Sequence, residues 1–149
     1  MTMTYNIMTA EGLHLVTKEV AKLAEELGFI LPCAYAYDDG KVRESEDSFY
    51  TYRDITIARE DNPNYEYYLM PTQARLQQWI ADKLKFQLTI GFSTAYNMNQ
   101  ISAFHFEIHD LMNGMRIVRE SNFKTYHEAL EQGLKTTLES YRVGVIRNN

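Results

Sequence analysis

The chain has 149 residues, of which 45% are hydrophobic and 23% charged, with a formal net charge of −5. That composition suits a single globular domain and excludes wholesale disorder. It holds no apolar run of the roughly 18 residues a membrane span needs, its opening MTMTYNIMTAEG lacks the order of a secretory signal, and Cys33 alone makes no internal disulfide or thiolate cluster, so a soluble cytoplasmic protein is expected.

Residues 1–12 show no clear period and are expected to be a loose arm. In TKEVAKLAEELGF, Val16, Val20, Leu23, Ala24 and Leu27 recur at helical spacing. A helix is predicted over 14–27, with Thr17 as N-cap and Gly28 at the stop. Phe29 and Ile30 should then turn back to the core. Pro32 forbids continuation, and Asp39-Gly40 predicts a hairpin with strands at 33–37 and 41–44. Cys33 is expected to be a small packed residue at its base.

Residues 45–70 read as a tyrosine-rich acidic connection. Arg53–Ile57 alternates like a short strand, and Asp61-Asn62-Pro63-Asn64 is a turn. Tyr50, Tyr52, Tyr65, Tyr67 and Tyr68 crowd the segment. Tyrosine joins an apolar body to a polar tip, which suits half-buried loops and interfaces alike.

From Pro71 the pattern is clearer. Thr72 is the expected N-cap of a helix whose stripe is Leu76, Trp79, Ile80 and Leu84. FQLTIGF alternates, with Phe86, Leu88, Ile90 and Phe92 inward. After the polar loop STAYNMNQ, FHFEIHD turns Phe104, Phe106 and Ile108 to the core. Asn113-Gly114 predicts a hairpin turn, and MRIVRE returns as a third strand. Thr125 and Glu128 form a capping box for a last helix. Its buried face runs from Tyr126 through Ala129, Leu130, Gly133, Leu134, Thr137 and Leu138 to Tyr141. Gly133 costs about 1 kcal/mol relative to alanine in a helix, a cost that close packing on a sheet would explain. The tail RVGVIRNN is either a short strand or solvated.

The predicted fold is α+β, in two layers. One domain, 1–149, is expected to comprise a helix and hairpin (13–44), the connection (45–70) and an α-β-β-β-α unit (71–141). In that unit an antiparallel three-stranded sheet carries the helices on one face, the order of double-stranded-RNA-binding domains. Trp79 and Tyr126 should anchor the core.

Three stretches carry a resemblance: EVAKLAEELGFILPCAYAY, PTQARLQQWIADKL and TYHEALEQGL. In this order, over residues 17–140, the chain resembles a family of small uncharacterised accessory proteins of phages, prophages and mobile elements of gut Bacteroidetes. It departs from the family in KLKF, where a Lys-His pair is frequent, and in its longer tyrosine-rich middle. The family has no assigned activity. The resemblance therefore implies a context, the bacterial cytoplasm, and no catalytic residues.

Several functions remain to weigh. His105, Glu107 and His109 alternate on one strand face and are candidate metal ligands. They are spaced about 6.5–7 Å per step along the strand, so an ion would need long side chains reaching inward. The alternative is a wet strand face opposite Phe104, Phe106 and Ile108. Nucleic-acid binding through the α-β-β-β-α unit would use Gln73, Gln77 and Lys124. Phosphate-driven binding, however, favours basic chains. Residues 1–70 hold 6 Lys+Arg against 13 Asp+Glu, or −7, and residues 71–149 hold 9 against 7, or +2. No phosphate loop, nucleophile elbow or H-E-x-x-H occurs, so no enzyme activity and no cofactor are expected. The favoured function is binding of another protein, with Tyr65, Tyr67 and Tyr68 exposed as its surface. A sheet edge offers a route to homo-oligomers.

Overall fold

The computed structural model describes residues 14–94 and 101–144. The expected N-terminal arm, most of the STAYNMNQ loop and the last five residues of the tail lie outside them. The chain divides between Thr72 and Gln73 into two compact units. The α+β class is the observed one: each unit combines helices with a three-stranded antiparallel sheet.

The first unit begins with α1 (Lys18–Glu26). Thr17 caps it, its hydroxyl accepting from the Val20 amide at 3.3 Å. Gly28, at φ +106°, closes it. Its amide donates to Glu25 O at 3.0 Å, and that of Phe29 to Ala24 O at 2.9 Å. These two bonds form the Schellman closure that glycine permits at this position. Phe29 is buried as expected, but Ile30 faces solvent.

Strands β1 (Tyr35–Asp38) and β2 (Lys41–Glu44) are joined by Asp39 and Gly40, both at positive φ, the conformation of a two-residue hairpin turn. Cys33 is buried at its base, bridged to Tyr50.

The strand expected at Arg53–Ile57 is a correction, because these residues lie in α2 (Tyr52–Asp61). Thr51 and Asp54 make a reciprocal capping box, at 3.2 and 3.0 Å. Local capping satisfies backbone donors that a lone strand would leave unpaired, and it outweighs the β-branched preference of Ile55, Thr56 and Ile57. Ile55 alone of that trio is buried, and Ile57 is exposed. The chain returns as β3 (Tyr67–Leu69) beside β1, giving the order β2-β1-β3.

The second unit runs α3 (Gln73–Trp79), a π-helical turn (Ile80–Leu84), β4 (Phe86–Thr94), β5 (Ile101–Asp110), β6 (Arg116–Phe123) and α4 (Tyr126–Arg142). Leu76, Trp79, Ile80 and Leu84 are buried, as their spacing predicts. Lys85, left-handed at φ 65°, ends the turn by donating to Ile80 O at 2.9 Å. The sheet order is β4-β5-β6. Leu88 faces Ile108, and Ile90 faces Phe106.

Helix α4 packs against all three strands. Its capping box is present, with Glu128 N donating to the Thr125 hydroxyl at 3.1 Å and Thr125 N to the Glu128 carboxylate at 3.2 Å. Ala129, Leu130, Gly133, Leu134, Thr137 and Leu138 are buried. A Cβ built on Gly133 would lie 2.6 Å from Leu88 Cδ1 and 3.1 Å from Phe106 Cγ, so this glycine allows the helix to approach the sheet closely.

In the second unit two core assignments need correction, and Ile90, Phe104 and Tyr141 are only half-buried. Tyr126 is 42% exposed and Phe92 is 57% exposed. Both sit where the first turn of α4 and the far end of the sheet meet solvent. There, strand alternation still sets the face, but among the described residues no covering layer supplies burial. Phe104 lies between them, its ring centroid 6.4 Å from each.

Candidate functional sites

The two units carry separate side-chain clusters. In the first, the sheet β2-β1-β3 gathers tyrosines around Asp38. Register pairs Asp38 with Tyr67 on one side and Lys41 on the other. The Tyr65 hydroxyl donates to Asp38 Oδ1. Arg43 Nε donates to Oδ2 at 2.6 Å. The carboxylate is thus held between a phenol and a guanidinium. The hydrogen bond to Asp38 pushes the Tyr65 phenol up to about 12, because ionising the phenol would forfeit that bond, and burial and the Asp38 charge add to the effect.

The Tyr65 and Tyr67 rings lie 5.3 Å apart, and Tyr50 meets Tyr67 edge-on at 6.2 Å. Burial raises Tyr50 and Tyr67 as well, with Asp38 adding to both.

Of the three tyrosines expected on the surface, Tyr65 and Tyr67 are half-buried and Tyr68 is buried. Tyr68 is therefore a correction. It occupies the middle of β3, opposite Tyr37, and the Arg59 guanidinium stacks over its ring at 5.4 Å. Arg59 also pairs with Glu25 at 2.7 Å, linking α2 to α1. Residue alternation in a three-residue strand sends Tyr67 and Tyr68 to opposite faces.

In the second unit, the residues expected to touch nucleic acid do not form a surface. Gln73 is buried. Its Nε2 donates to His127 O at 3.1 Å and to Glu131 Oε1 at 2.9 Å, and its Oε1 is 2.7 Å from His127 Nδ1. It fastens α3 to α4. Gln77 Nε2 donates to Leu88 O at 2.6 Å and fastens α3 to β4. Lys124 alone of the three is exposed.

His105, Glu107 and His109 do share one face of β5, opposite buried Phe106 and Ile108. His105 Nε2 lies 3.7 Å from Glu107 Oε2, and His109 Nε2 lies 3.7 Å from Oε1. Sequence reasoning missed two more members of this cluster, Arg116 and Arg119. β6 brings Arg119 opposite Glu107 and Arg116 opposite His109. Arg119 Nε donates to Glu107 Oε2 at 3.3 Å, and Arg116 Nη1 is 3.6 Å from the same oxygen. The carboxylate is therefore engaged by guanidiniums. Among the described residues no group of three His, Cys, Asp or Glu is placed to hold a metal ion. The signal for the arginines was present in MRIVRE, but only the bulged register aligns them with Glu107.

No protein-family model, curated protein or solved structure matches the chain. Among the described residues no helix is long and apolar enough to cross a membrane.

Proposed function

We propose that the protein is an accessory protein of a phage or mobile element that binds another protein in the bacterial cytoplasm, with the first unit acting as a binding module without chemistry of its own. The observation that carries this is the packed array of Tyr50, Tyr65 and Tyr67, half-buried around Asp38. Rings already held by neighbours lose little freedom on binding, which is why tyrosines make effective interface anchors. The half of the chain that contains them carries −7, from 6 Lys+Arg against 13 Asp+Glu, so the partner it favours is basic.

The test is capture of partners from cells carrying the parent element, followed by binding measurements with the purified partner. Tyr65→Ala with Tyr67→Ala should weaken binding by at least about 2 kcal/mol, the scale of interface hot spots. A purified partner that binds this double variant as well as the parent refutes the assignment.

A further inference from the structure

The face of the second sheet opposite α4 carries a dense cluster of charged side chains. Glu107 lies beneath four groups that are cationic or can become so: Arg116, Arg119, His105 and His109. With both imidazoles neutral the five groups sum to +1, and with both protonated to +3. The guanidiniums stand outermost, with side chains 56% exposed for Arg116 and 41% for Arg119, against 23% for the carboxylate. Each spends part of its five-donor fork on Glu107, and Arg119 also reaches the Ser121 hydroxyl at 3.4 Å. The remaining N–H groups can serve a second oxyanion.

The neighbouring strand makes room for this arrangement. A Cβ on Gly91 would sit 2.5 Å from His105 Cε1 and 2.7 Å from its Nε2, so the imidazole lies directly against β4. Its Nδ1 is buried and, among the described residues, has no hydrogen-bond partner.

The geometry points to a phosphate-binding surface on β5 and β6 that receives the backbone of a single-stranded nucleic acid, with Arg116 and Arg119 as the phosphate forks and Glu107 as the resident counter-ion with which the phosphate competes. Phosphate fits because paired planar forks match its oxygens in a way that point charges do not. A single strand fits because an extended backbone can follow the two exposed guanidiniums along β6, with the His109 imidazole, 31% exposed, beside them. The site is independent of the tyrosine surface and uses none of the residues that sequence reasoning assigned to nucleic acid.

The test is fluorescence anisotropy with a labelled single-stranded RNA of about 12 nucleotides, with inorganic phosphate and duplex RNA as competitors. Arg119→Gln and Arg116→Gln should each weaken binding by about tenfold, whereas Arg119→Lys should lose less. Glu107→Gln should tighten binding by about threefold, because it removes both a competitor for the guanidiniums and a repelling charge. Two contacted phosphates predict a log–log salt slope of about −1.4. The His105 and His109 ring resonances should shift on RNA addition.

Circular dichroism confirms folding of each variant. Correctly folded arginine variants that bind like the parent, a Glu107→Gln variant that does not bind more tightly, or histidine resonances unmoved at saturation would each overturn the site. Inorganic phosphate binding without RNA binding would overturn the nucleic-acid occupant. Tyr65→Ala with Tyr67→Ala should leave RNA binding unchanged, so failure here and failure of the protein-binding proposal are read separately.

Discussion

Gly133→Ala sets two opposed effects against each other at one atom. In an exposed helix the change should stabilise by about 1 kcal/mol, the propensity difference between the two residues. Here the added methyl would meet Leu88 Cδ1 at 2.6 Å, Leu88 Cδ2 at 3.1 Å and Phe106 Cγ at 3.1 Å. Leu88 and Phe106 are themselves buried, so neither has open space to retreat into. Overpacking of this kind costs about 1–3 kcal/mol. The expected balance is a net loss of about 1 kcal/mol, or roughly 4–8 °C for a unit the size of Gln73–Asn149. Chemical denaturation with circular dichroism measures it.

The decisive comparison is the same substitution in a Leu88→Ala background. Leu88→Ala alone should cost about 2–5 kcal/mol. It also empties the volume that the new methyl needs, so Gly133→Ala should become neutral or stabilising there. The coupling between the sites should be about 1–2 kcal/mol. A Gly133→Ala variant more stable than the parent, or two substitutions that simply add, would refute the claim that close helix–sheet approach explains this glycine.

Gln73→Ala should destabilise the second unit by roughly 2–4 kcal/mol, since Gln73 bonds to a backbone carbonyl, a carboxylate and an imidazole. A solvent-facing glutamine would change stability by no more than about 0.5 kcal/mol, so a denaturation midpoint like the parent's would return Gln73 to the surface. Alkaline titration followed by phenolate absorbance should show one tyrosine ionising near 12, and Asp38→Asn should move that step down. The folded protein holds this proton more tightly than the unfolded chain, so the associated stability is complete below the ordinary phenol range near about 10 and is lost as pH rises through 12. A titration in which Asp38→Asn moves no tyrosine would rule out the Asp38 bond as the cause.

Both α1 and α4 were legible in the sequence because their signals are local. Thr17 and Gly28 bracket one, and Thr125 and Glu128 open the other. The alternation of FQLTIGF and FHFEIHD likewise identified the inner face, since a one-residue slip would bury His105, Glu107 and His109. A further local signal stands at Thr51 and Asp54, which spell a capping box, but the β-branched run after them reads as strand. The buried apolar stripe through Leu76, Trp79, Ile80 and Leu84 also followed from spacing alone.

What the tertiary structure alone decided was which faces are covered and which distant charges meet. Phe92 and Tyr126 obey the same periodicities as their buried neighbours, yet remain exposed because none of the described residues covers the end of the sheet. Gln73 looked like a polar surface residue until α4 placed His127 and Glu131 around it. Arg116 and Arg119 became partners of Glu107 only through the register of β6, which is shifted by bulges. Periodicity assigns a side chain to a face. Burial and electrostatics depend on what approaches that face, and residues far apart in sequence determine that.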